Sequence, residues 1–284
     1  MYPPNIDYYR ANSVTEAVSL LGQHSGAKVL AGGHSLIPLM NLRLTNPGVL
    51  IDIGRIEALK GISTGNGAVR IGALTTHATI AASNVVPKAL SEAAGMIGDP
   101  QVRNRGTIGG NISHADPASD LPTVLTALGA TIHVTGAGGN RAIAATDFFT
   151  GLLETALKKG EIVTAIEVPM AGSGSGSAYA KLANPASRYA MVGAAATLTV
   201  HGNQCTAAGV AVGGLTPKAT KASSVEAALV GNTLNADTIA AAAGAVQNDL
   251  GDEILEDIHA SAGYRKAMAT VFVQRALTAA MERA

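Results

Sequence analysis

Cysteine is almost missing: Cys205 stands alone in 284 residues. One cysteine excludes an internal disulfide. It also falls short of the roughly four ligands that an iron–sulfur cluster or a cysteine-rich zinc site takes. Tryptophan is absent and aromatic residues make up 3%, so the core has to be built from Ala, Val, Ile and Leu. Twenty basic residues balance twenty acidic ones, which leaves none of the basic excess that nucleic acid or an acidic membrane attracts. No apolar run approaches the roughly 18 residues of a membrane span. The opening MYPPNIDYYR has no basic segment leading into an apolar stretch, so no signal peptide is expected, and a cytoplasmic location is the expectation. Familiar phosphate and zinc motifs are missing too: there is no G-x-G-x-x-G, no Gly-Lys of a P-loop and no H-E-x-x-H.

What is present suits a folded chain, with 47% apolar and 14% charged residues. The length suits two domains. SVTEAVSLLGQ, with its Ser/Thr cap signal and apolar residues at helical spacing, predicts a helix. AKVLAG predicts a strand, SLIPLMNLRL a short helix and GVLIDIG a second strand, together a βαβ unit with parallel strands. GAVRIGAL predicts a strand and TTHATIAAS the opening of a helix. SDLPTVLTALG predicts a helix capped at Ser119 or Asp120, with Pro122 in its first turn and Gly129 as its stop. ATIHVTG and EIVTAIEVP are β-like. AGSGSGS, Ala171 to Ser177, has linker composition and sets a domain boundary between residues 173 and 174. Beyond it, SAYAKLA, AAATLTVHG and TAAGVAVGGL predict antiparallel strands, followed by three helical segments of which the last is long and amphipathic.

Two glycine pairs draw attention. Gly32-Gly33 ends a strand and leads into His34-Ser35 and a helix; Gly109-Gly110-Asn111 repeats the pattern. Glycine adopts positive φ and lets a ligand approach the backbone, and a helix start offers unpaired N–H groups to a phosphate. Two such loops form a pyrophosphate clamp that uses no lysine. Either pair taken alone is at least as readily a plain tight turn. His34, His77 and His114 lie near these loops as hydrogen-bonding groups, because neither i, i+4 spacing nor a companion cysteine supports a metal site. Asp116 and Asp120 are candidates for paired carboxylates, with Asp120 equally a helix cap or a ribose acceptor. GGHSL is not the nucleophile elbow, so Ser35 is not assigned a catalytic role. Tyr189 is either a stacking platform for a flat ring or ordinary packing, and Cys205 reads as an inert core residue.

Together, AGGHSLIPLMNLRL and QVRNRGTIGGNISHADPASDLP resemble the two flavin-binding signatures of the medium subunit of molybdenum hydroxylases, the xanthine dehydrogenase family that includes carbon monoxide dehydrogenase. PGVLIDIGRI, VRIGALTTH, ATDFFTG, GEIVTAIEVP and SAGYRKAMATVFVQRAL extend the resemblance over nearly the whole chain. It implies an α+β fold: a two-subdomain FAD-binding domain of the vanillyl-alcohol-oxidase (PCMH) type over 1–173, split near residue 55. A smaller C-terminal α+β domain with an antiparallel sheet would cover 174–284. By motif match, Ala31, Gly32, Gly33, His34, Ser35 and Leu36 would wrap the FAD pyrophosphate from one side. Thr107, Gly109, Gly110, Asn111 and Ser113 would hold it from the other, so Gly110→Val is expected to lower FAD content, because the backbone could no longer approach the pyrophosphate and a side chain at positive φ would add strain. Ser119 and Asp120 would sit near the phosphate and sugar. Ala73, Thr76, His77, Ile162 and Lys181 would line the flavin region, and Tyr189 would lie over the isoalloxazine. The segment KLANPASRYAMVG, with Pro185 and Arg188, departs from the Arg-Arg or Gly-Asp pair of many relatives, so no particular substrate carries over.

The resemblance names no catalytic residue and no metal in this chain. It implies an FAD subunit that takes electrons from a small [2Fe–2S] subunit and passes them to an external acceptor. A large molybdopterin-binding subunit would oxidise the substrate, in a dimer of heterotrimers. The alternative is a self-contained FAD-dependent oxidoreductase acting on a small molecule; a scaffold that has lost FAD is disfavoured by the intact glycine pairs.

Overall fold

The computed structural model describes residues 2–284. The chain opens with β1 (Asp7–Arg10), α1 (Val14–Gln23), β2 (Lys28–Leu30), α2 (Leu36–Asn41) and β3 (Val49–Asp52). These strands form a parallel sheet in the order β1-β3-β2. The predicted βαβ unit is therefore there, with β3 central. The start of α1 follows from Ser13, whose Oγ accepts from the Glu16 N–H at 3.1 Å. β1 carries no pattern of its own: all four of its residues are exposed, and it exists through its pairing with β3.

The second unit holds β4 (Ile62–Gly65), β5 (Ala68–Gly72), α3 (His77–Ala81), α4 (Lys88–Met96), α5 (Pro100–Arg105), α6 (Ile108–His114) and α7 (Asp120–Ala127). It continues through β6 (Thr131–Gly136), β7 (Gly139–Ala144), α8 (Ala145–Phe148), β8 (Phe149–Gly151), β9 (Glu154–Thr155) and β10 (Ile162–Pro169). Five of these strands make an antiparallel sheet, β4-β5-β10-β6-β7. α7 is the predicted helix: Ser119 stands at its cap position, and Gly129, at φ +63°, follows its end. The core on this sheet is aliphatic, with Ile71, Ile108, Ile112, Leu121, Leu125 and Ile132 fully buried and Phe148 the largest side chain among them.

The third unit is an antiparallel sheet of β11 (Ser175–Ala183), β12 (Ala190–His201), β13 (Gln204–Gly213) and β14 (Thr220–Lys221). α9 (Ser223–Leu229), α10 (Ala236–Gly244) and α11 (Ala262–Met281) complete it and bury their own aliphatic core against the sheet. The AGSGSGS stretch is only half a connection. Ser175 to Ser177 belong to β11, and a Cβ on Gly176 would run into the Ala280 carbonyl and the Arg283–Ala284 backbone. Glycine there serves the close approach of the C-terminal helix rather than flexibility.

Candidate functional site

A cavity of about 620 Å³ opens between the first unit and the second, within the size range of cofactor sites. Its walls are the loop after β2, the turn after β5, the start of α3, the α5–α6 turn with α6, the start of β10, and Tyr189.

The loop after β2 is built around positive φ at Gly33, +77°. The turn that results leaves the N–H groups of Gly32, Gly33, His34, Ser35 and Leu36 without a hydrogen-bond acceptor among the described residues. Chain order resumes only at Ile37, whose N–H donates to the Gly33 carbonyl at 3.0 Å. Five successive free donors on a cavity wall suit an anionic oxygen cluster. Gly32 is needed for another reason: a Cβ there would collide with the Arg105 carbonyl and the Gly106 Cα, because the two glycine loops touch.

The second pair differs from the sequence expectation. Gly109 and Gly110 lie inside α6 rather than before a helix, and Gly110 does not have positive φ. The N–H groups of this first turn are engaged. Ile108 donates to the Thr75 carbonyl at 3.0 Å, Gly109 to Ala73 at 2.8 Å, and Gly110 to Thr107 Oγ1 at 3.3 Å. Gly109 is glycine because a Cβ would stand 2.6 Å from the Ala73 Cβ. This loop therefore faces the cavity with side chains. The Asn111 Oδ1 accepts from Ser119 Oγ at 2.8 Å, which orients the amide and leaves Nδ2 free for a ligand.

Of the expected site residues, Ala31 to Leu36, Ala73, His77, Thr107, Gly109, Gly110, Asn111, Ser113, Ile162 and Tyr189 line the cavity. Thr76, Ser119, Asp120 and Lys181 are not among the lining residues. Thr76 caps α3 and bridges to Thr107, and Ser119 holds Asn111. Asp120 accepts from Tyr179 Oη at 2.6 Å and from Lys181 Nζ at 2.9 Å, with the Lys181 and Asp120 side chains 2% and 5% exposed. Burial raises the Asp120 carboxyl above its ordinary range, while the Lys181 charge and the two hydrogen bonds oppose that rise. Burial beside Asp120 pushes the Tyr179 hydroxyl well up. Tyr189 is 44% exposed, and burial of the rest of its ring, with Asp116 and Asp120 nearby, raises its hydroxyl as well. Among the described residues no three His, Cys, Asp or Glu side chains gather to hold a metal ion.

Several wall residues carried no sequence signal. Lys28, His24 and Lys159 line the cavity where β2 begins, and Val102 and Gly106 line it from α5 and its end. The clamp loops lack lysine, but the cavity does not. Glu161, also on the wall, is held by Arg141 through Nε at 2.8 Å and Nη2 at 2.7 Å, and that pairing lowers its carboxyl from the ordinary value.

Residues 4–171 match the family described as the FAD binding domain in molybdopterin dehydrogenase, and residues 177–280 match the carbon monoxide dehydrogenase flavoprotein C-terminal domain. The glyceraldehyde dehydrogenase medium chain of Sulfolobus acidocaldarius is 40% identical, over 97% of this chain and 98% of its own. The carbon monoxide dehydrogenase medium chain of Hydrogenophaga pseudoflava is 40% identical, over 100% and 99%. A solved structure of carbon monoxide dehydrogenase from Hydrogenophaga pseudoflava superposes with a TM-score of 0.95 at 42% identity, over 100% of this chain and 99% of that one. The chain belongs to the FAD-binding medium chains of the molybdenum hydroxylase family, as an oxidoreductase subunit of the carbon monoxide dehydrogenase type.

Proposed function

We propose that this chain is the electron-transfer subunit of a heterotrimeric molybdenum hydroxylase, accepting electrons from a small [2Fe–2S] subunit and delivering them to an external acceptor. One observation carries the reading: the cavity is furnished to hold a dinucleotide but not to run acid–base chemistry. Five free N–H groups, the free Asn111 amide and an aliphatic wall suit FAD. The carboxylates nearby are engaged, Glu161 by Arg141 and Asp120 by Lys181 and Tyr179. Cys205 is fully buried in the third unit.

FAD, when bound, supplies the redox chemistry. The chain's residues do the rest. The N–H groups of Gly32 to Leu36 hold the pyrophosphate, and Thr107, Asn111 and Ser113 contact the cofactor with their side chains. Ala73 and Ile162 pack against it, and Tyr189 covers the flavin ring. Thr76 braces Thr107 and Ser119 orients Asn111. The proposed end of the FAD domain is residue 173, a reading supported by the two matched segments, 4–171 and 177–280, which lie on either side of it.

A large molybdopterin-binding subunit would oxidise the substrate, and two heterotrimers would pair. Relatives equally identical to this chain carry the names of different substrates, glyceraldehyde and carbon monoxide, which supports a substrate pocket outside the medium chain. Co-expression with a cysteine-rich small chain and a molybdopterin-binding large chain encoded beside it tests this. The three should co-purify as a yellow complex whose flavin is reduced by substrate only when all three are present. A chain that stays alone and oxidises a small molecule unaided would be the self-contained oxidoreductase instead.

A further inference from the structure

Tyr189 reaches the cofactor cavity from the turn between β11 and β12, and packing does not hold it there: it is 44% exposed. Pro185, Ala186, Ser187 and Arg188 before it are exposed as well, whereas Asn184 is 8% exposed. A turn that buries so little takes its shape from hydrogen bonds, and here they converge on Asn184. Its Oδ1 accepts from the Ala186 N–H at 2.9 Å and from the Ser187 N–H at 3.0 Å. Its carbonyl accepts from the Arg188 N–H at 2.9 Å, and its own N–H donates to the Tyr189 carbonyl at 2.8 Å. Ser187, so placed, accepts with Oγ from the Tyr189 N–H at 3.3 Å.

Resting on the FAD reading, in which Tyr189 covers the flavin ring, we propose that Asn184 is the positioning residue for that cover: its side-chain oxygen sets the turn that aims Tyr189 into the cavity. Beyond Tyr189 the chain is fixed by other elements. The Ala190 N–H donates to the Ala118 carbonyl at 3.0 Å, and the buried Arg265 guanidinium donates to the Met191 carbonyl at 3.1 Å. Asn184 governs the side of Tyr189 that those contacts leave open. Arg188 shows the constraint, since it sits at φ +62°, a left-handed conformation that an arginine keeps only when its surroundings impose it.

The chemistry of the side chain separates this role from a plain hairpin. The backbone bonds of Asn184 survive any substitution that keeps the fold, but the two bonds to Oδ1 need an acceptor on a short side chain. Aspartate supplies one and alanine does not. An asparagine that only stabilised the hairpin would change stability and leave the surroundings of the bound flavin as they were. One that positions Tyr189 changes those surroundings, and does so only while Tyr189 is present.

The test is flavin emission per bound FAD in the full chain, with bound FAD counted by its absorbance. A tyrosine ring stacked on a flavin quenches its emission, so Tyr189→Leu should brighten it several-fold. Asn184→Ala should reach most of that rise, and Asn184→Asp, which keeps the acceptor, should stay near the wild type. Asn184→Ala combined with Tyr189→Leu should be no brighter than Tyr189→Leu alone, because both act through one ring. Three outcomes would overturn the proposal: wild-type emission in Asn184→Ala, whatever its urea midpoint; an Asn184→Asp variant as bright as Asn184→Ala; or a double variant brighter than Tyr189→Leu. Unchanged emission in Tyr189→Leu would remove Tyr189 as the flavin cover, and the proposal with it, while FAD stays bound. A wild-type chain that takes up no FAD would overturn the cofactor reading itself.

Discussion

The two glycine pairs look alike and do opposite things. Gly32-Gly33 sits in a turn that leaves five consecutive N–H groups without acceptors. Gly109-Gly110 sits in a helical first turn whose N–H groups are engaged by Ala73, Thr75 and Thr107. The first pair therefore offers backbone to a ligand. The second brings α6 so close to the turn after β5 that Thr107 and Asn111 reach the same cavity with side chains. A shared dipeptide reports that the backbone needs room; whether the room is for a ligand or for the protein itself is a separate matter.

Substitutions can pull the two roles apart. Gly109→Val should have the largest effect, about 3 kcal/mol of lost stability in urea unfolding, because the new atoms would have to enter the Ala73 backbone. Retained stability would mean that α6 can shift. Gly33→Ala should act on binding rather than folding. The free loop sheds the strain of a side chain at φ +77° by turning to negative φ, and FAD has to restore it at roughly 1–2 kcal/mol, read as an FAD dissociation constant about tenfold higher with the urea midpoint nearly unchanged. Ser119→Ala removes the hydroxyl that orients Asn111. At about 1 kcal/mol per hydrogen bond, FAD affinity should fall about fivefold, and an unchanged affinity would remove Asn111 from the contact set. Gly110→Ala should do least. Its Cβ would crowd the Thr107 hydroxyl, at 2.9 Å, and touch the Ala31 Cβ at 3.8 Å, and the helix propensity gained, about 1 kcal/mol, offsets the disturbed cap, so stability should stay within about 0.5 kcal/mol. The larger loss expected of Gly110→Val on φ grounds therefore has no basis in φ; any loss would come from crowding Thr107.

Local chemistry made much of the fold legible. Ser13 before an apolar period of 3.6, Gly129 after one, and the β-branched runs of β3, β6 and β10 each announce an element in a few residues. β1 was not legible, since DYYR has no buried face of its own and becomes a strand only against β3. α6 begins at Ile108, ahead of the glycine pair, where the sequence reading puts a helix after it; the acceptors on Ala73, Thr75 and Thr107 that engage its first N–H groups come from the fold. The site followed the same division. Residues next to the glycine pairs were found, whereas Lys28, Val102 and Lys159 carry no pattern that points to a cavity.

The sequence by itself determined the order of elements, the two motifs, the aliphatic core and the family, because these depend on neighbours within a turn or on ordered similarity along the chain. Tertiary structure decided which donors stay free. Asp120 meets Tyr179 and Lys181, 59 and 61 residues away, and does not line the cavity. Gly106 admits the edge of the His77 ring. A hydrogen bond is made or left unmade by what arrives from elsewhere in the chain, and only packing brings those groups together.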